Sequence, residues 1–232
     1  MSLYLYALLD ATPAAPLGEG LAGEPLRLVR CGGILAAVGE MAAAPRADAP
    51  LLQAHDAVVR RLTAGAGAVL PARFGSLAAG EAELAELLGS RAPLFAEALE
   101  RVRGCVQMTL RVFGTAAAPA DLDALPEDPA AGSGTRFLAA RRREHERRTS
   151  LPEIDSLRPA LRPLLRAERV ERQTSGRLIG TAFHLLPRTA EEDYRAALEA
   201  TGGHLPGGYR LAWSGPWPPY AFATVAGMEL AP

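Results

Sequence analysis

A chain of 232 residues, 49% hydrophobic and 22% charged, has enough apolar material for a packed core in one large or two small domains. Its 25 basic and 26 acidic side chains nearly cancel, which argues against a general binder of nucleic acid or anionic membranes. The sequence has no lysine, so a Walker A loop, a Schiff-base lysine and a pyridoxal phosphate anchor are all excluded.

Residues 3–9 are apolar and aromatic with no helix-start signal and read as a buried strand. The prolines and glycines of 11–25 make a loop, and the short runs 26–30 and 34–38 around Gly32-Gly33 suggest a hairpin. Asp48 can cap a helix with Pro50 in its first turn and Leu51, Leu52, Ala54, Val58, Val59 and Leu62 on one face. His55 and Asp56 are neighbours on it. Adjacent helical residues do not face each other, so a capping, ion-pairing or surface role is expected there rather than a catalytic pair.

A strand-like start at 68 meets Pro71, which demotes it to an edge or a bend, and Arg73 and Phe74 then form either a contact point or a packed corner. Helices are expected at 81–88 and 93–103, the second capped by Gly104. Residues 106–112 alternate apolar and polar with the period of a half-buried strand, and 115–134 read as an exposed linker. A charged helix over 135–148 carries Arg141, Arg142, Arg143, Arg147 and Arg148 against Glu144 and Glu146. No aromatic residues interleave with the arginines as stacking platforms, so a solvated face is preferred to a nucleic-acid site. Ser150 with Glu153 suggests a capping box for a further helix toward 172, interrupted at Pro159 and Pro163. A strand at 178–186, a helix opened by a Thr189–Glu192 box and closed by Gly202-Gly203, and a strand at 209–213 follow.

Both tryptophans lie near the C-terminus, Trp213 just before and Trp217 within Ser214-Gly215-Pro216-Trp217-Pro218-Pro219-Tyr220. Three prolines fix φ and remove donors, so no central strand or helix is expected to run through this stretch, and 221–225 should continue extended. A stiff corner whose aromatics plug the core is favoured over a partner-binding platform. Strands and helices mix, which gives an α+β class.

Catalytic signatures are missing. No serine sits in a Gly-x-Ser-x-Gly elbow, and His55, His145, His184 and His204 are scattered without metal-ligand spacing. Cys31 and Cys105 form no disulfide framework, and the start of the chain lacks the basic region of a signal peptide. No uncharged apolar run reaches membrane-span length. The expectation is a cytoplasmic, non-enzymatic protein without metal or cofactor.

Several stretches, in order along the chain, resemble the gas vesicle GvpL/GvpF family. They are Tyr4-Leu5-Tyr6, His55, Ala68-Val69-Leu70-Pro71-Ala72-Arg73-Phe74-Gly75-Ser76, Leu99 to Met108 around Gly104, Phe137-Leu138 with the Arg141-Arg142-Arg143 run, and Gly215-Pro216-Trp217-Pro218-Pro219-Tyr220-Ala221-Phe222. Gln107 stands where the family pattern leads one to expect glutamate. The resemblance implies an accessory or minor structural protein of gas vesicle assembly that binds the hydrophobic shell protein and other accessory proteins. It also implies two small α+β domains, 1–103 and 104–232, the second ferredoxin-like with a helical segment at about 135–172; placing the strand 105–113 in the first domain is the competing option. Neither nucleic acid, nor membrane, nor a small-molecule substrate is an expected partner. Trp217, Pro218, Pro219, Tyr220, Arg73 and Phe74 are the candidate contact residues, with Arg141, Arg142 and Arg143 as a polar docking face. The competing readings are a nucleic-acid module using the arginine helix and an enzyme with a dispersed interdomain site gathering His55, Arg73 and an acid.

Overall fold

The computed structural model describes residues 1–114, 141, 148–173, 176–201 and 203–223. The chain divides into two compact units, one of residues up to Gln107 together with those from Pro216 onward, the other Met108–Gly215. The division falls within two strands and returns the end of the chain to the first unit, whereas the sequence grouped everything from 104 on.

The first unit is built on β1 (Ser2–Leu9), buried along nearly its whole length. It pairs antiparallel with β3 (Ile34–Met41) on one side, and with β4 (Val69–Pro71) and β5 (Leu77–Ala78) on the other. The strand β2 (Arg27–Cys31) closes the order β2-β3-β1-β4 as the expected hairpin partner of β3. Helix α1 (Ala49–Gly65) is capped as the sequence suggests: Asp48 accepts from the Leu51 N–H at 2.9 Å. The helices α2 (Glu81–Gly89) and α3 (Ala92–Val102) follow, the latter ending near Gly104, whose φ of 65° is a left-handed conformation that glycine adopts without strain because it has no Cβ. The core gathers Tyr4, Tyr6, Leu9, Leu35, Val58, Leu62 and Val69.

The second unit holds a sheet of order β7-β8-β6-β10-β9. Its members are β6 (Cys105–Phe113), β7 (Ala167–Arg172), β8 (Leu178–Pro187), β9 (His204–Leu205) and β10 (Tyr209–Trp217). Between β6 and β7 lies α4 (Arg158–Leu161), and between β8 and β9 lies α5 (Glu191–Glu199). Leu151, Ile154, Leu157 and Leu161 are buried, as are Tyr194 and Leu198 of α5.

Five local expectations are corrected. The stretch 150–172 is not one interrupted helix: short helical turns give way to strand β7. Glu153 does not close a capping box but takes Arg172 bidentately, at 2.7 and 3.0 Å. Helix α5 begins after Ala190, which makes no side-chain cap, so the Thr189–Glu192 box does not form. Strand β10 continues through Pro216 to Trp217. Strand β9 pairs with β10 only at Tyr209 and Arg210, so further along β10 has an edge among the described residues, where a missing N–H is tolerated. Beyond it, Tyr220–Phe222 turn as a 3-10 helix instead of running extended. The linker 115–134 and most of the charged helix lie outside the described residues.

Candidate functional site

The family-like stretches of the first unit converge on one face of α1. The pairing of β1 with β3 shifts register between Leu5 and Ala7, leaving Tyr6 as the extra residue of a bulge. Tyr4 and Tyr6, which strict alternation would also place on one side, have ring centroids 4.8 Å apart. His55 projects inward from α1 and is 3% exposed. Its ring stacks on Tyr6 with centroids 5.5 Å apart, and Phe74 meets both His55 and Tyr4 edge-on, at 5.7 and 6.2 Å. Of the capping, ion-pairing or surface role expected for His55 and Asp56, ion pairing holds for Asp56, which meets Arg60, while His55 has a core role instead. Its spacing with Val58, Val59 and Leu62, all buried, would have marked this face.

Hydrogen bonds fix the cluster. The Gly75 N–H donates to the Tyr4 hydroxyl at 3.1 Å, and that hydroxyl lies 3.0 Å from His55 Nδ1. Donation of the Tyr4 proton to Nδ1 goes with the Nε2–H tautomer of a neutral imidazole, and the two groups then share one hydrogen bond. Nε2 finds no hydrogen bond of normal geometry, although the Ala72 backbone is close enough to favour its proton. Burial holds the His55 pKa below its ordinary value, with Ala72 and Asp56 offsetting this only in part. Tyr4 is pushed up to about 12, first by burial, against the lowering effect of the Gly75 bond. Gly75 has φ 87°, which explains the glycine after Phe74.

Tyr6 donates to Glu24 and accepts from the Leu21 N–H at 2.8 Å, while Glu24 also accepts from the Ala22 N–H at 2.9 Å. Burial and then the Glu24 carboxylate raise the Tyr6 pKa. A Cβ at Gly39 would stand 2.6 Å from the Glu24 side chain, so glycine there makes room for the carboxylate under the loop. The loop 18–25 is thereby tied to the tyrosines.

Asp56, next to His55, points another way. Its carboxylate accepts from the Tyr220 hydroxyl at 3.0 Å and from Arg60 Nε at 2.6 Å. Arg60 lies over the Trp217 ring, 4.3 Å from its centroid, and donates to the Pro216 carbonyl at 3.3 Å. Burial, then Asp56, raises the Tyr220 pKa. Pro218 and Pro219 are buried, and Trp217 and Tyr220 are half-buried. The Gln107 carbonyl oxygen accepts from the Ala221 N–H at 2.8 Å. An acceptor is what this position supplies, and glutamine serves as well as the glutamate that the resemblance led one to expect.

In the second unit, Arg195 forms a similar clasp. It pairs with Glu191 one turn earlier, donates to the Gly215 carbonyl at 3.0 Å and lies 5.3 Å from the Trp213 ring centroid. Nothing in the motif analysis singled out Arg60 or Arg195 for this; an arginine four residues after an acid on a helix was the only local signal.

Of the candidate contact residues, Phe74, Trp217, Pro218, Pro219 and Tyr220 gather around α1, and Arg73 is exposed beside Phe74. His55 and Arg73 do not share a pocket: one is in the core and the other faces solvent. Arg141 is exposed, while Arg142 and Arg143 lie outside the described residues. Among the described residues no group of three or more His, Cys, Asp and Glu could hold a metal, and no helix is long and apolar enough to cross a membrane.

The aromatic-histidine cluster and the proline-rich C-terminal clasp thus both take residues of α1 as partners. The family described as gas vesicle synthesis protein GvpL/GvpF matches residues 2–224, and the chain belongs to that family, with a role in gas vesicle formation. It is 31% identical to "Gas vesicle protein L" of Streptomyces sp. (strain CB03234), over 90% of this chain and 86% of the relative. It is 28% identical to "Gas vesicle protein L2" of Halobacterium salinarum, over 95% and 90%. The crystal structure of gas vesicle protein GvpF from Microcystis aeruginosa shares the α+β fold, with a TM-score of 0.72 at 18% identity over 97% of this chain and 99% of that one. GvpF from Anabaena sp. PCC7120 matches with the same TM-score over 97% of each chain.

Proposed function

We propose that the chain is a non-enzymatic accessory or minor structural protein of gas vesicle assembly, working in the cytoplasm and at the vesicle. It binds the hydrophobic shell protein and other accessory proteins, keeping apolar surface covered until the shell protein is added. The observation that carries this reading is a family match that runs over residues 2–224. Contact falls to Arg73, Phe74, Trp217 and Tyr220, whose side chains are at least partly accessible. The arginine run Arg141, Arg142 and Arg143 is the proposed polar docking face. Pro218 and Pro219 are buried, so their part is to hold the segment stiff. Aromatic and arginine side chains that are already ordered lose little entropy on binding an apolar partner.

We also read the second unit as ferredoxin-like. The order β7-β8-β6-β10, with α5 between β8 and β10 along the chain, supports that reading. We propose that the folding boundary lies near Gly104, ahead of β6, so that β6 folds with its sheet.

The functional reading is tested by pulling the tagged full-length chain from vesicle-forming cells and probing for the shell protein. Enrichment over a tag-only control is expected. Absence of the shell protein from a folded, recovered bait would contradict the reading.

A further inference from the structure

Strand β7, Ala167–Arg172, ends the second sheet, and among the described residues nothing pairs with its outer side. The other end of that sheet is blunted by the two-residue β9. An open groove of about 810 Å³ follows β7, bounded by Arg148, Thr149 and residues 168–173. Open edges are usually protected by charge, and β7 is charged, reading Ala-Glu-Arg-Val-Glu-Arg. The order of those charges matters more than their number.

The register fixes which groups face outward. Residues of β7 pair with β8 from Ala167 opposite Leu185 to Arg172 opposite Gly180, and the Gln173 N–H donates to the Ile179 carbonyl at 2.9 Å. In an antiparallel ladder such hydrogen-bonded pairs recur at every second residue, so 171, 169 and 167 turn their backbone groups toward β8. Glu168, Val170 and Arg172 therefore present theirs to the open side.

Place a second β7 antiparallel about a two-fold axis through Val170. The outward backbone groups of Glu168, Val170 and Arg172 then meet those of the second copy's Arg172, Val170 and Glu168, which is the parity a ladder requires. Arg169 stands opposite Glu171, and Glu168 opposite Arg172, so every charged cross-strand pair joins opposite signs. Centring on Arg169 would set arginine against arginine, and centring on Glu171 would set glutamate against glutamate. The strand is complementary to itself in one register.

We propose that the occupant of this edge is β7 of a second copy of this chain, giving a two-fold dimer with one sheet running through both subunits. Arg169 and Glu171, 45% and 46% exposed and 3.0 Å apart within one chain, stand across the axis from the second copy's Glu171 and Arg169. In the dimer the two pairs become a cluster of four alternating charges. Glu168 and Arg172 keep their bonds to Arg158, His184 and Glu153 and add only a favourable neighbour. One six-residue strand per subunit makes a small interface, so the dimer is weak and concentration-dependent.

Sedimentation equilibrium of the full chain over a range of concentrations tests this, with circular dichroism to verify that each variant is folded. Arg169→Glu and Glu171→Arg each put like charges across the axis and should weaken dimerisation by about tenfold or more. The double variant Arg169→Glu/Glu171→Arg restores opposite signs and should recover it. An equimolar mixture of the two single variants should associate more tightly than either alone. A wild-type chain that stays monomeric to millimolar concentration would overturn the proposal. So would a dimer indifferent to the single changes, or one that the double exchange fails to restore, since either places the contact on another surface.

Discussion

His55 in the first unit and His184 in the second are both buried, and each sets Nδ1 against a tyrosine hydroxyl, Tyr4 at 3.0 Å and Tyr194 at 2.7 Å. They part at Nε2. His184 Nε2 lies 3.2 Å from Glu168, whose other carboxylate oxygen accepts from Arg158 at 2.6 Å, so the imidazole ends a chain of polar groups leading to the surface. The Nε2 of His55 lacks such a partner, and aromatic rings enclose the imidazole. The same residue type is thus a neutral core ring in one place and part of a compensated network in the other. Surroundings decide the role.

The difference can be broken most severely at the tyrosines. Tyr4→Ala removes a buried ring and strips Gly75 and His55 of their shared partner, and should cost about 3–5 kcal/mol in urea unfolding. Tyr4→Phe keeps the ring but orphans both groups, at about 1–3 kcal/mol, whereas Tyr194→Phe should cost nearer 1 kcal/mol because Glu168 still holds the imidazole. Equal losses for the two Phe variants would erase the distinction.

Acidity separates the two sites in a second way. His55 has a folded pKa below its ordinary 6.5, so as pH falls the unfolded chain takes up the proton first. Its contribution is therefore complete above about 6.5 and is lost progressively as pH falls below that value. Glu168 is held below its ordinary 4.5, first by the hydrogen bond with His184 and also by Arg158, against the opposing effect of burial. Its contribution is present above about 4.5 and is lost only as pH falls through the lower folded value. Unfolding free energies measured between pH 7.5 and 5 should fall in the wild-type chain, and His55→Gln should flatten that slope while Glu168→Gln leaves it.

Smaller effects concern the clasp. Trp217→Ala removes a half-buried ring under Arg60 and should lower stability by about 1–2 kcal/mol. Loss of partner capture with unchanged melting would instead mark Trp217 as a binding platform. Arg73→Ala, at an exposed position, should change stability by less than about 0.5 kcal/mol, so any drop in shell-protein capture reports contact directly.

The first region was far more legible in the sequence than the second. β1, the β2–β3 hairpin and α1 with its Asp48 cap carry periodic apolar patterns with turn or capping residues at their ends, and these are local signals; in the second sheet β6 carries such a pattern too. His55 was missed because the apolar face was drawn through Leu51, Leu52 and Ala54. The buried set is His55, Val58, Val59 and Leu62, while Leu52 is 44% exposed. Strand β7 has one buried apolar residue, Val170, among charges, and an apparent capping box before it pointed to a helix. What makes it a strand is pairing with the next strand, β8, and no apolar alternation within β7 itself records that partner. The clasp of Pro216 to Tyr220 was legible as stiffness, but its seat on Asp56 and Arg60 depends on residues some 160 positions away in sequence, as the Tyr220–Asp56 separation of 164 shows.

The central claim, a part in building gas vesicles, is tested most directly in a vesicle-forming cell from which the gene for this chain has been deleted. Vesicle yield should collapse and return when the wild-type chain is supplied. Undiminished vesicles in the deletion strain would contradict the account.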